Sequence, residues 1–164
     1  MAALEYTFRP LTRADLALVA RWRSEPHVIE WWGEPELEAE IEKLGDRRIA
    51  MWIVEHRGRP FAFAQDYDVH GWDPHPFSYL PPGSRGIDQY IGEADMVGHG
   101  HGSAFVRLHA ERLFRDGAPA VGTDPHPRNA RALRAYEKAG FVRVSGPLAT
   151  PWGEAILMER RAKR

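Results

Sequence analysis

Apolar and polar positions alternate over Leu4–Leu11 (LEYTFRPL), the period of a half-buried first strand. Thr12 then stands at an N-cap position, with Asp15 where a capping box places its acidic partner. Leu16, Val19, Ala20 and Trp22 follow at the spacing of an amphipathic helix. After SEPHVIEWWG, Pro35 predicts a short helix through Leu44, with Gly45 as its stop. Arg48–His56 and Pro60–Val69 predict two strands joined at RGR by a hairpin. His70 to Ser84 carries four prolines and two glycines, which predicts a long irregular loop of the kind that usually serves function. Arg85–Gly92 predicts a strand, and a glycine-rich turn and a helix from Ser103 to Asp116 follow it. Ala118–Thr123 predicts a short strand, and Arg128–Ala139 a helix stopped by Gly140. Strands at Phe141–Ser145 and Ala155–Glu159 close the chain. The order β-α-α-β-β-β-α-β-α-β-β implies a mixed α/β sheet with helices on its faces and some parallel pairing in the second half.

Composition narrows the class. The 164 residues are 43% hydrophobic and 27% charged, and a single domain over 1–164 is expected. No apolar run approaches the ~18 residues of a membrane span, and MAALEYTFRP lacks a secretory core. The absence of cysteine removes thiolate chemistry and disulfides and agrees with a cytoplasmic location. Lys+Arg at 22 against Asp+Glu at 23 points to neither nucleic acid nor a membrane surface as partner.

MVGHGHGSAF, residues 96–105, raises the first question of chemistry. It follows a strand and opens a helix, so its backbone N–H groups can approach an anion, aided by the helix dipole. A metal needs about three converging ligands, and no residue at helical spacing completes a set with His99 and His101; no metal is expected. His109 is expected on the surface or in packing. By itself the turn leaves two readings open: an anion site, or a glycine-rich helix entry with no ligand.

IGEADMVGHGHGSAFVRLHAERLF followed by VGTDPHPRNARALRAYEKAGFVRV resembles the GNAT acyltransferases. Asn129, Ala132, Tyr136, Lys138, Gly140 and Phe141 fall at that superfamily's spacing, and Gly100 and Gly102 match its cofactor motif. Val97 stands where Gln or Arg is usual. FRPLTRADLALVARW, HVIEWWGE, RGIDQYIGE and TDPHPRN are most similar to aminoglycoside 6′-N-acetyltransferases and extend the resemblance over most of the chain. It implies a GNAT fold with a mostly antiparallel, splayed sheet of six to seven strands, diverging between Arg85–Gly92 and Ala118–Thr123. It implies acetyl-CoA as co-substrate, held by Gln89, Tyr90, Ile91, Val97, Gly98, His99, Gly100, His101, Gly102, Ser103 and Asn129. A plain N-terminal role for Asn129 on its helix is the other reading of that residue.

Acetyl transfer to an amine needs a proton acceptor, a place for charge developing on the carbonyl oxygen, and a proton for the leaving thiolate. Asp88, acidic in an apolar strand, is the expected acceptor, with burial raising its pKa. Tyr136 is the expected acid, against the alternative of a packing tyrosine. Backbone N–H groups of Gln89–Ile91 would polarise the carbonyl.

Asp66, Asp68, Asp73, Asp88 and Asp124 gather near loops, and Trp31, Trp32 and Trp72 offer faces for a sugar. Trp31, Trp32, Trp72, Asp73, Asp88 and Asp124 are therefore the expected contacts of a small-molecule amine. HGWDPHPFSYLPPG and Pro151-Trp152, the latter in place of Pro-Asp, depart from the resembled enzymes, and fewer acidic groups predict weaker affinity for a polycation. The alternative acceptor is the N6-hydroxylysine of a siderophore-type acyltransferase. A non-catalytic acyl-CoA-binding module and a protein N-terminal acetyltransferase are less well matched by the residues. A monomer or homodimer is expected.

Overall fold

The computed structural model describes residues 5–163. Strand β1 spans Tyr6–Pro10; Leu4, expected to open it, lies outside the described residues. A 3₁₀ turn at Arg13–Asp15 leads into α1, Leu16–Arg23. Asp15 reaches back to the Thr12 N–H at 2.9 Å, the acidic half of the expected capping box.

Two helices follow where one was expected. Helix α2 is Pro26–Trp32 and α3 is Leu37–Lys43. Pro26 occupies the first turn of α2, where its missing N–H costs nothing, while Pro35 lies ahead of α3. Strands β2 (Ile49–His56), β3 (Arg59–Asp68) and β4 (Arg85–Ile91) come next, then α4 (His101–Arg115), β5 (Ala120–Thr123) and α5 (Ala130–Lys138). The tail holds β6 (Val142–Arg143), a hairpin of β7 (Leu148–Thr150) with β8 (Gly153–Ala155), and β9 (Met158–Arg161). Ala155–Glu159 is thus not one strand. Ile156 N–H is tied to the Pro125 carbonyl at 2.9 Å, and the chain leaves the hairpin there to enter the main sheet.

Seven strands form the main sheet in the order β1-β2-β3-β4-β5-β9-β6, with β4 and β5 parallel and β1/β2, β5/β9 and β6/β9 antiparallel. The β4–β5 register covers only Arg85↔Val121 and Gly86↔Gly122. Among the described residues no helix is long and apolar enough to cross a membrane.

The chain forms two compact units. One comprises residues up to Asp66 with Gln89–His101, the other Tyr67–Asp88 with Gly102 onward. The first is built around Val19, Trp22, Val28, Ile53, Phe63 and Tyr90. The second buries Phe77, Phe105, Val121, Leu133, Phe141 and Met158. In the first unit the buried Arg23 pairs with the buried Glu40 at 3.0 Å, and its other amino group donates to the carbonyls of Trp32, Gly33 and Glu34. One guanidinium so closes the end of α2 and fixes α3 to α1.

Removing one partner of a buried pair leaves the other charge uncompensated, at a cost of about 3–5 kcal/mol. Glu40→Ala is expected to lower the unfolding free energy by about 3 kcal/mol, measured by urea denaturation. A loss under about 1 kcal/mol would show that Arg23 holds the carbonyls without its carboxylate.

Candidate active site

The glycine turn is prepared by its neighbours. Glu93 accepts from Arg21 at 2.6 Å and from the Trp22 indole at 2.7 Å; these bonds, Arg21's first, hold its carboxyl below the usual range. Gly98 (φ 81°) and Gly100 (φ 85°) are exposed and adopt left-handed backbone. A Cβ on either would meet nothing within 4 Å, so conformation rather than space calls for glycine. Left-handed residues between ordinary ones turn successive N–H groups to one side, directly ahead of the fifteen-residue α4.

The His101 ring is engaged by the first strands. Its Nδ1 lies 2.8 Å from the Tyr6 hydroxyl and its ring 4.6 Å from that of His56, and burial, then His56, lowers its pKa. His99 is exposed. His109, expected on the surface or in packing, is fully buried. Among the described residues no three His, Asp or Glu side chains gather to hold a metal ion.

Asp88 and Asp124 are brought together by a rule of strand geometry. Gly86 and Gly122 are partners on parallel strands, so side chains at both would leave the same face of the sheet. Both positions are covered from that face by aromatic rings. A Cβ at Gly86 would lie 2.2 Å from Tyr67 Cζ, and one at Gly122 would lie 2.7 Å from Phe77 Cε1. Asp88 is two residues beyond the first glycine and Asp124 two beyond the second. With a side-chain period of two, both carboxylates fall toward the face of the aromatic cover, near enough for the charge of Asp88 to act on Asp124. The Thr123 hydroxyl donates to the Ile87 carbonyl at 3.2 Å and holds the strands together at that point.

The electrostatics follow from this crowding. Burial, and then the charge of Asp88, pushes the Asp124 carboxyl up to about 8, against a smaller opposing effect of the Trp152 indole, whose Nε1 donates to Asp124 Oδ2 at 2.5 Å. Burial and the same two carboxylates raise the Tyr67 phenol well above its ordinary value. His75, buried and 5.4 Å from the Tyr67 ring, has its pKa lowered, first by burial and then by His70. Trp72 meets Tyr67 edge-on at 5.9 Å. The carboxylate pair thus has a wall of neutral aromatic groups.

The other expected residues have diverse surroundings. Asp66 is buried under the Trp52 indole N–H at 2.8 Å, and Asp68 receives the His70 N–H at 2.9 Å, so both brace structure. Asp73 and Trp31 are exposed. Trp32, half-buried, packs edge-on against Phe63 and Tyr90 with Arg23 over its ring, at the margin of the first unit's core. Tyr90 is buried in the same core, and the Ile91 carbonyl meets His27 Nε2 at 2.8 Å. Gln89 and Val97 are half-buried, as are Gly102 and Ser103 in the first turn of α4. Asn129 caps α5, its side-chain oxygen accepting from the Ala132 N–H at 3.1 Å. Tyr136 is buried, its ring 5.9 Å from Phe141. The loop 70–84 is anchored by Phe77 and Leu80, both buried, and by His70 Nε2 at 2.8 Å from the Leu80 carbonyl. Sequence reasoning missed Tyr67 and His75; the one available signal was glycine inside a strand, which marks close approach of another group.

Comparison with known proteins agrees with this architecture. The family described as acetyltransferase (GNAT) domain matches residues 12–146. The chain is 36% identical to an aminoglycoside N(6′)-acetyltransferase type 1 from Klebsiella pneumoniae, over 93% of this chain and 81% of that protein. An N-hydroxyputrescine acetyltransferase of Acinetobacter baumannii is 27% identical over 90% of this chain and 70% of its own length. A crystal structure of aminoglycoside acetyltransferase AAC(6′)-Ib with coenzyme A and kanamycin superposes with a TM-score of 0.86 at 37% identity, over 95% of this chain and 94% of that one.

The proton on Asp124 has a thermodynamic signature. An unfolded aspartate releases its proton near 3.8, whereas the folded Asp124 keeps it to about 8. Between those values the folded chain binds more protons than the unfolded one, so this group makes stability fall as pH rises. Asp124→Asn cannot ionise and is expected to raise Tm relative to the parent at pH 8 more than at pH 5. Equal Tm differences at both values, measured by calorimetry, would exclude a protonated Asp124.

Proposed function

Since this chain belongs to the acetyltransferase (GNAT) domain family, we propose that it transfers acetyl from acetyl-CoA to the 6′-amine of an aminoglycoside or similar amino sugar. The observation that carries the acceptor class is the Asp88–Asp124 pair beside neutral aromatic rings: charge for an ammonium, apolar faces for a sugar. When bound, acetyl-CoA supplies an activated acetyl thioester. The exposed glycine turn and the first amides of α4 would hold its diphosphate through the backbone, with Val97 adding no charge. Any contact from Asn129 falls to its amide NH₂, because its oxygen caps α5.

In this reading Asp88 holds the acceptor ammonium and takes its proton, directly or through water. The free nitrogen attacks the thioester carbonyl carbon; a C–N bond forms and the C–S bond breaks. Backbone N–H groups of Gln89–Ile91 stabilise the charge on the carbonyl oxygen. Tyr136 gives its phenolic proton to the departing sulfur. Two protons leave the nitrogen: one balances the sulfur through Tyr136, the other reaches solvent through Asp88. An ordinary carboxyl near pH 4 faces a gap of about five units to an amine near 9, which makes the proton transfer steeply uphill. The Asp124 carboxyl, pushed up to about 8 beside Asp88, is a neighbouring acceptor whose gap to that amine is about one unit.

The similarity to an N-hydroxyputrescine acetyltransferase supports a second acceptor class, the hydroxylamine of N6-hydroxylysine and its kin. Release of free thiol from acetyl-CoA, followed with kanamycin, ribostamycin, N6-hydroxylysine, polyamines and peptides, separates the two. Turnover of kanamycin or ribostamycin is expected; turnover of hydroxylysine alone would replace the amino sugar reading.

Asp88→Asn is expected to lower kcat/KM for the amine about 100-fold near neutrality and less at high pH, where the amine loses its own proton. A loss constant across pH would leave Asp88 a binding role only. Tyr136→Phe is expected to slow kcat about tenfold or more with KM for acetyl-CoA nearly unchanged; an unchanged kcat would remove Tyr136 from the chemistry.

A further inference from the structure

Trp152 stands at the turn of the β7–β8 hairpin, a turn braced by the Thr150 hydroxyl, which donates to the Gly153 carbonyl at 2.6 Å. The side chain is 55% exposed, yet both ends of it are engaged. The indole N–H donates to Asp124 Oδ2 at 2.5 Å, and the ring lies 5.5 Å from that of His75. His75 is itself buried against Tyr67, the ring that covers Gly86 two residues before Asp88. The hairpin thus lays one large, uncharged side chain against the outer side of the carboxylate pair.

This arrangement changes what the pair can recognise. Asp124 has one oxygen engaged by a donor that cannot accept a hydrogen bond. A second ammonium group brought there would face that N–H, which also carries the positive edge of the indole ring. A hydroxyl can accept from the same N–H and donate to the carboxylate. A ring face bearing C–H groups can pack on the exposed indole.

Resting on the reading of Asp88 and Asp124 as the site of the acceptor's ammonium group, we propose that Trp152 is a specificity-determining residue. It selects an amino sugar whose reacting ring carries a single amine, with hydroxyl and carbon faces elsewhere, over one whose reacting ring carries two amines.

Kanamycin A and kanamycin B test this directly, because they differ by a hydroxyl or an amine at the 2′ carbon of the ring that bears the 6′-amine. The wild-type chain is expected to show the higher kcat/KM for kanamycin A. Trp152→Asp, which replaces the donor with a carboxylate, is expected to move the ratio toward kanamycin B by about tenfold. Trp152→Phe keeps a ring but loses the donor; it is expected to move the ratio the same way by less. It should also shift the acid limb of the pH profile to higher pH, since Asp124 loses a bond that favours its ionised form. A ratio within twofold of wild type in both variants would overturn the proposal.

A readout on the native chain covers the case in which a variant misfolds or no kanamycin reacts. The indole ¹⁵N–¹H resonance of Trp152, assigned by its loss in Trp152→Phe or by sequential assignment, should titrate with Asp124 and move more on adding kanamycin A than kanamycin B. Absence of turnover with either sugar would sink the proposed activity. An indole resonance indifferent to pH and to both sugars would sink the role of Trp152.

Discussion

Two glycines facing each other on parallel strands organise the chemistry of this protein. Gly86 and Gly122 leave the sheet bare at one point, and Tyr67 and Phe77 fill the space that side chains would have taken. Each glycine is followed two residues later by an aspartate, so the period of the β-strand places both carboxylates on one face at neighbouring positions. Burial and the neighbouring Asp88 charge then do what a single exposed aspartate cannot: they keep a proton on Asp124 near neutral pH. A larger residue at either glycine would displace an aromatic ring and, with it, the surroundings of the carboxylates.

Around that pair the chain uses aromatic groups in neutral form. Tyr67 cannot ionise near two carboxylates, and burial lowers the pKa of His75. The net effect is a site with one compact acidic centre and a largely apolar wall. Such a site suits an amine presented on a ring better than a chain of many charges, because each further ammonium would need its own carboxylate. The glycine turn before α4 works on a different principle. It offers backbone amides rather than side-chain charge, so its identity lies in two left-handed φ angles.

Several expectations were changed by context that no local pattern contains. HVIEWW reads as an approach to a helix yet is itself helical, because Pro26 starts a turn and Arg23 closes the other end through three carbonyls. Trp32 is packed edge-on against a core with part of its surface exposed. Asp124, expected only as a contact of the acceptor, is a carboxyl whose pKa is raised, by burial and then by the charge of Asp88. The segment after Gly146 divides into a hairpin and a separate strand, and that division puts Trp152 at a tip against Asp124.

What the sequence determined by itself was the succession of strands and helices, the glycine turn ahead of an amphipathic helix, and the residues with suitable chemistry. These are set by periodicity, by caps and by the φ angles that glycine alone adopts easily, all of which act over a few neighbouring residues. Tertiary structure decided how the aspartates are surrounded. Asp66 and Asp68 became braces, while Asp88 and Asp124, 36 positions apart in the chain, came close enough for the charge of one to raise the pKa of the other. Burial and the approach of like charges depend on which strands lie side by side and on the rings packed over their glycines, neither of which is set by residues within reach along the chain.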